Sequence, residues 1–105
     1  MNNTQTVAED YYRVKLIGVL GSSAGSREIT LQAPSGLTLS GLISKLLDDV
    51  NRRQFTELLV DTSTNNPLPN VIILIDEHDC NLFQGLNTKL DPGTLVTIIP
   101  VAHGG

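Results

Sequence analysis

The residues best placed to do chemistry stand at the end of the chain, where Ala102-His103-Gly104-Gly105 follows closely on the apolar run Leu95-Val96-Thr97-Ile98-Ile99. A terminal glycine offers a carboxylate and no Cβ, so a Gly-Gly ending takes backbone angles closed to other residues and threads where side chains would clash. The chemistry this suggests is delivery, with the Gly105 carboxylate presented to a site on another protein. Small residues are also what a frayed terminus carries, so the reading depends on the rest of the chain. His103 titrates near neutral pH wherever it sits. It reads either as part of what a partner recognises in the tail or as a solvated side chain.

A second concentration of reactive types is Asp76-Glu77-His78-Asp79-Cys80. All are metal-ligand types, but consecutive residues of an extended chain alternate faces, and no second ligand pair stands at zinc-site spacing. The cluster therefore reads as a solvent-facing turn with no metal. Cys80 and His78 would serve a thiol enzyme only if something lowered the thiol pKa, and nothing in the sequence marks that. Cys80 reads as a structural thiol. The glycine-bearing stretch from Gly18 to Gly25 lacks the Lys-Ser/Thr of a phosphate loop and reads as a hairpin turn.

Composition narrows the classes further. At 105 residues and 40% hydrophobic content the chain suits one domain with a genuine core. With 4% aromatic residues and no Trp, that core must be built from Leu, Ile and Val. A net charge of −4 argues against direct nucleic-acid binding, which draws its affinity from Lys and Arg neutralising phosphates. One cysteine excludes an intrachain disulfide and points to a reducing compartment. No signal-peptide pattern and no run of membrane-spanning length is visible, so a cytoplasmic protein with no membrane partner is expected.

The elements that would position the tail follow from periodicity. Residues 1–10 are polar and aperiodic and read as a flexible arm; residues 11–101 form the domain and 102–105 a flexible tail. Tyr12 to Leu20 reads as a strand, Gly21 to Ser26 as a flexible turn, and Arg27 to Ala33 alternates as the second strand of a hairpin. Thr38 or Ser40 can cap a helix bearing Leu39, Leu42, Ile43, Leu46, Leu47 and Val50 at three- and four-residue spacing. This helix fades around Arg52-Arg53-Gln54. A short helical or irregular piece runs from Phe55 to Val60, and Asp61 to Pro67 is a loop. Val71-Ile72-Ile73-Leu74-Ile75 predicts a central or near-central strand covered on both faces. Leu82-Phe83 reads as a short strand, Asp91-Pro92-Gly93 as a turn, and Leu95 to Val101 as the last strand. The result is an α+β domain, a mixed sheet with one main helix across one face.

From Val71 onward these features resemble the C-terminal half of ubiquitin-like β-grasp sulfur carriers and modifiers. The apolar strand followed by Asp76, then Gly85-Leu86, Thr88, Leu90, Pro92-Gly93, Val96, Ile98, Pro100 and Gly104-Gly105 carry the match. Pro100-Val101-Ala102 is similar to the small subunit of molybdopterin synthase, and His103-Gly104-Gly105 to the ubiquitin-related modifier. The small archaeal modifier proteins blend both roles, and the thiamine sulfur carrier belongs to the same superfamily.

The resemblance implies a β-grasp fold and a carrier that is a substrate, not an enzyme. An activating enzyme, using ATP and Mg²⁺, would adenylate Gly105. A sulfur donor would then yield a thiocarboxylate for tRNA thiolation or, with the molybdopterin synthase large subunit, for molybdopterin. Alternatively the acyl group would pass to target-protein lysines. Ala102, His103 and Gly104 would be recognised with the tail, which extends roughly 10–15 Å at about 3.3 Å per residue. The competing readings are a noncovalent β-grasp interaction module and a cysteine- or metal-dependent enzyme.

Overall fold

A computed structural model describes residues 10–101. The stretch 1–9 and the tail residues Ala102, His103, Gly104 and Gly105 lie outside the described residues. Strand β1, Asp10–Leu16, alternates strictly: Tyr12, Val14 and Leu16 point inward, while Tyr11, Arg13 and Lys15 are exposed. The expected strand to Leu20 is shorter in fact. The chain turns at Gly18 (φ 59°) and enters helix α1, Val19–Ala24, where a flexible turn was expected, and leaves it through Gly25 (φ 84°).

Helix α1 is tertiary in origin. Its serines are mediocre helix formers, but Leu20 is fully buried and Gly21 lies against the end of β1. A Cβ on Gly21 would meet the Leu16 carbonyl oxygen at 3.1 Å and the Arg27 Cα at 3.4 Å. Strand β2, Glu28–Ala33, then pairs antiparallel with β1, Tyr12 opposite Leu31 and Val14 opposite Ile29. The two-strand unit expected at the start is present, with a helix in its connection.

Helix α2, Leu39–Val50, starts at Thr38, whose Oγ1 accepts the Gly41 N–H at 3.1 Å. Its apolar stripe buries Leu39, Leu42, Ile43 and Leu46, and it stops at Asn51 in the left-handed region (φ 50°). The piece after it is a regular helix, α3, Arg53–Leu59, which buries Phe55 and Leu59. Strands β3, Val71–Ile75, β4, His78–Asp79, and β5, Leu95–Pro100, complete the sheet. Single 3₁₀ turns at Cys80–Leu82 and Gly85–Asn87 lie between β4 and β5.

The strand order is β2-β1-β5-β3-β4, with β1 and β5 parallel and the other pairs antiparallel. The sheet is mixed and the helices cover one of its faces, the β-grasp arrangement. The core between them is almost wholly aliphatic, with Tyr12 and Phe55 as its large aromatics. Each fully buried Leu or Ile contributes on the order of 2 kcal/mol. The Tyr12 hydroxyl donates to the Pro34 carbonyl at 3.1 Å.

Two further sequence expectations are corrected. β3 is not covered on both faces: Val71, Ile73 and Ile75 are buried, but Ile72 is 42% exposed and Leu74 half-buried. The middle strand is β5, and β3 sits one place nearer the edge, so its outward residues have no helical roof. Leu82-Phe83 is not a strand either. Leu82 ends a 3₁₀ turn, both side chains are exposed, and the short strand is formed by His78–Asp79 instead.

Candidate functional site

The tail grows from the middle strand, and its root is fixed on both sides. Pro100 lies against Gly18 across the parallel pair, 3.8 Å from the position a Cβ there would take. On the other side the Val101 N–H donates to the Asn70 carbonyl at 3.0 Å. Whatever follows Val101 therefore departs from a defined point at the C-terminal end of β5. The residues assigned to the tail, Ala102, His103, Gly104 and Gly105, lie beyond it, outside the described residues.

Around this root the outward sheet face divides by chemistry. Ile72 pairs with Ile99 and Leu74 with Thr97 in the β3–β5 register. These side chains form a partly exposed apolar row on the side away from the helices, ending at Val101, which is 37% exposed. On β1 the same face carries Tyr11, Arg13 and Lys15. At the end of β1 a cleft of about 530 Å³ opens, lined by Lys15, Ile17, Gly18, Val19, Ser22 and Arg27. Gly18 belongs both to this cleft and to the contact with Pro100, so cleft and tail root adjoin.

The cluster from Asp76 to Cys80 is occupied with holding a turn. Asp76 and Glu77 adopt φ of 46° and 74° to reverse the chain between β3 and β4. The Asp76 carboxylate accepts the Leu95 N–H at 3.0 Å, and His78 Nδ1–H donates to the Asp76 carbonyl at 3.0 Å while its ring meets Phe83 edge-on. Asp79 caps the following 3₁₀ turn by accepting the Asn81 N–H at 2.9 Å. Cys80 is fully buried, and that burial, with the Asp79 charge beside it, pushes its thiol pKa up. A thiol so placed is a poor nucleophile. Among the described residues no three His, Cys, Asp or Glu side chains are grouped to hold a metal ion, and no helix is long and apolar enough to cross a membrane.

Sequence reasoning expected an apolar docking surface on the sheet face opposite the helix but could not name its residues, and it missed the Lys15–Arg27 cleft. Both depend on strand register, which brings together residues far apart in the chain; the alternation in β1 was the only local signal for either.

Comparison with known proteins places this geometry. No curated protein matches the chain. Among solved structures, the small archaeal modifier protein 1 of Methanosarcina acetivorans superposes with a TM-score of 0.77 at 20% identity, covering 92% of this chain and 98% of that one. CysO of Mycobacterium tuberculosis gives 0.66 at 28% identity over 87% and 99%. Urm1 of Trypanosoma brucei gives 0.73 at 22% identity over 95% and 100%. These likenesses support the fold. The family model of ThiS matches residues 14–105, from the core of β1 through the diglycine, and the chain belongs to the ThiS family of ubiquitin-like sulfur carriers.

Proposed function

We propose that this chain is a ubiquitin-like carrier whose Gly105 carboxylate is adenylated by an ATP-dependent activating enzyme. The activated carboxyl then becomes a thiocarboxylate or is joined to lysines of target proteins. A free carboxylate is a poor acyl donor because oxide is a poor leaving group. Attack of a Gly105 oxygen on the α-phosphate of ATP expels pyrophosphate and leaves an acyl adenylate, from which AMP departs readily. Sulfur from a persulfide donor, followed by reduction of the acyl persulfide by a thiol, gives the thiocarboxylate; a lysine amine gives an isopeptide. The activating enzyme holds ATP and Mg²⁺, and this chain supplies the reacting group and the means of presenting it.

The observation that carries the proposal is the pairing of a family match running through Gly105 with a tail root fixed on the middle strand beside an unroofed apolar row. Ile72, Ile99, Leu74 and Val101 give the enzyme a docking surface from which the tail enters its cleft. tRNA thiolation and molybdopterin synthesis are the destinations proposed for the sulfur, the second with a molybdopterin synthase large subunit as acceptor. A solved structure similar in fold is named a putative molybdopterin converting factor subunit 1, from Pyrococcus furiosus.

The test is ATP–pyrophosphate exchange by the host's activating enzyme with the full chain and with a chain lacking Gly104-Gly105, alongside the intact mass of the protein from its host. Exchange supported by the full chain alone, at equal thermal stability, is expected. One carboxyl oxygen replaced by sulfur marks the carrier route, and a Gly105–lysine linkage marks conjugation. Exchange that survives truncation, or an unmodified carboxylate with no conjugates while the enzyme is active, overturns the proposal and favours a noncovalent module.

A further inference from the structure

Charge is unevenly spread along the strands. Because β1 and β5 run parallel and β3 antiparallel to them, the start of β1, the approach to β5 and the β3–β4 turn share one end of the sheet. That end carries Asp10, Asp76, Glu77, Asp79 and Asp91 against Lys89. The opposite end, where the tail departs, carries Lys15 and Arg27 against the single acid Glu28, with Arg13 further along the exposed face of β1. Asp48, Asp49, Arg53 and Glu57 belong to the helical layer on the other side of the sheet, and Arg52 is engaged with α1, where its guanidinium donates to the Ser23 carbonyl at 3.4 Å.

Among the described residues neither Lys15 nor Arg27 makes an ion pair or a side-chain hydrogen bond. Glu28 stands opposite Lys15 in the β1–β2 register without closing a bridge to it. Two unpaired cations thus flank a cleft of about 530 Å³ whose lining also includes the aliphatic Ile17 and Val19, beside the tail root.

We propose that this cleft receives an acidic segment from the rim of the activating enzyme's substrate site, so that the carrier approaches tail first. The proposal rests on the function proposed above and names the chemistry of the partner there. A guanidinium binds a carboxylate in a two-pronged fork and an ammonium adds a point charge. Two cations are too few for a phosphate backbone, whose binding scales with the phosphates neutralised, whereas they suffice for one or two acidic side chains. The negative far end is repelled by the same rim, so the field orients the encounter as well as strengthening it; such steering changes association rates by about 10- to 1,000-fold.

The experiment measures exchange kinetics of the full-length carrier with the host's activating enzyme, defined as the protein whose ATP–pyrophosphate exchange depends on the wild-type chain. Lys15→Glu/Arg27→Glu is compared with Lys45→Glu/Lys89→Glu, which changes net charge equally but away from the cleft. For the first variant, KM for the carrier is expected to rise about tenfold or more at low ionic strength, with kcat unchanged and the salt dependence of kcat/KM flattened. The second should stay near wild type. All four side chains are exposed, and urea denaturation checks that both variants fold. An unchanged KM, an equal rise in both variants, or a loss confined to kcat overturns the inference and leaves the proposed function intact. If no protein of the host shows ATP–pyrophosphate exchange that depends on the wild-type chain, both are overturned.

Discussion

Cys80 is the chain's one thiol, and it faces the core with no solvent contact, its pKa raised first by burial and then by the neighbouring Asp79 charge. Native protein should resist alkylation by iodoacetamide that goes to completion in urea. Cys80→Ser exchanges a soft apolar atom for a hydroxyl without a partner, and a loss of about 1–3 kcal/mol in urea denaturation is expected, with pyrophosphate exchange unaffected. Because the folded pKa lies above the unfolded one, the thiol's contribution is whole below about pH 8.5 and fades as pH rises through the folded value. Wild type should lose part of its margin over Cys80→Ala above that pH. Rapid labelling of the native protein together with lost exchange in a folded Cys80→Ser would revive a catalytic role for the thiol.

At the level of elements, α1 gives the sharpest test. Replacing an exposed helical glycine by alanine normally stabilises by about 0.5–1 kcal/mol. At Gly21 the new methyl meets backbone on two sides, the Leu16 oxygen at the end of β1 and the Arg27 Cα just before β2. Gly21→Ala is therefore expected to destabilise by about 1–3 kcal/mol, a reversal of sign readable in thermal unfolding. The same helix shows where the sequence is opaque. Helix α2 was legible because Leu39, Leu42, Ile43 and Leu46 repeat at helical spacing and Thr38 caps it. Helix α1 has one buried leucine among glycine and serines, and only the strand beneath explains it. The β3 run was legible as a strand, but not which of its faces was roofed, since Ile72 and Ile73 are the same residue with opposite surroundings. The diglycine stands out in the sequence as a candidate reactive end; the fixing of Pro100 by Gly18 and of Val101 by Asn70 does not, because those contacts join distant parts of the chain.

For the molecule as a whole, the sheet has a face that stabilises the fold and a face that does not. Ile73 is fully buried and Ile72 is not, on adjacent positions of one strand. Ile72→Asp should therefore change stability by about 0.5 kcal/mol or less, while weakening kcat/KM for the activating enzyme. Ile73→Asp should fail to fold, since it buries an unpaired carboxylate. Equal loss of stability in both would mean the outward row is not the free surface described. The parallel pairing of β1 with β5 has one further consequence. A strand of seven residues spans about 20 Å, so the start of β1 lies a full sheet length from Val101. A fluorophore or affinity handle attached through a cysteine placed at Asp10 sits at the end of the sheet opposite Val101. The carrier can be observed or tethered there without obstructing the end proposed to enter the activating enzyme.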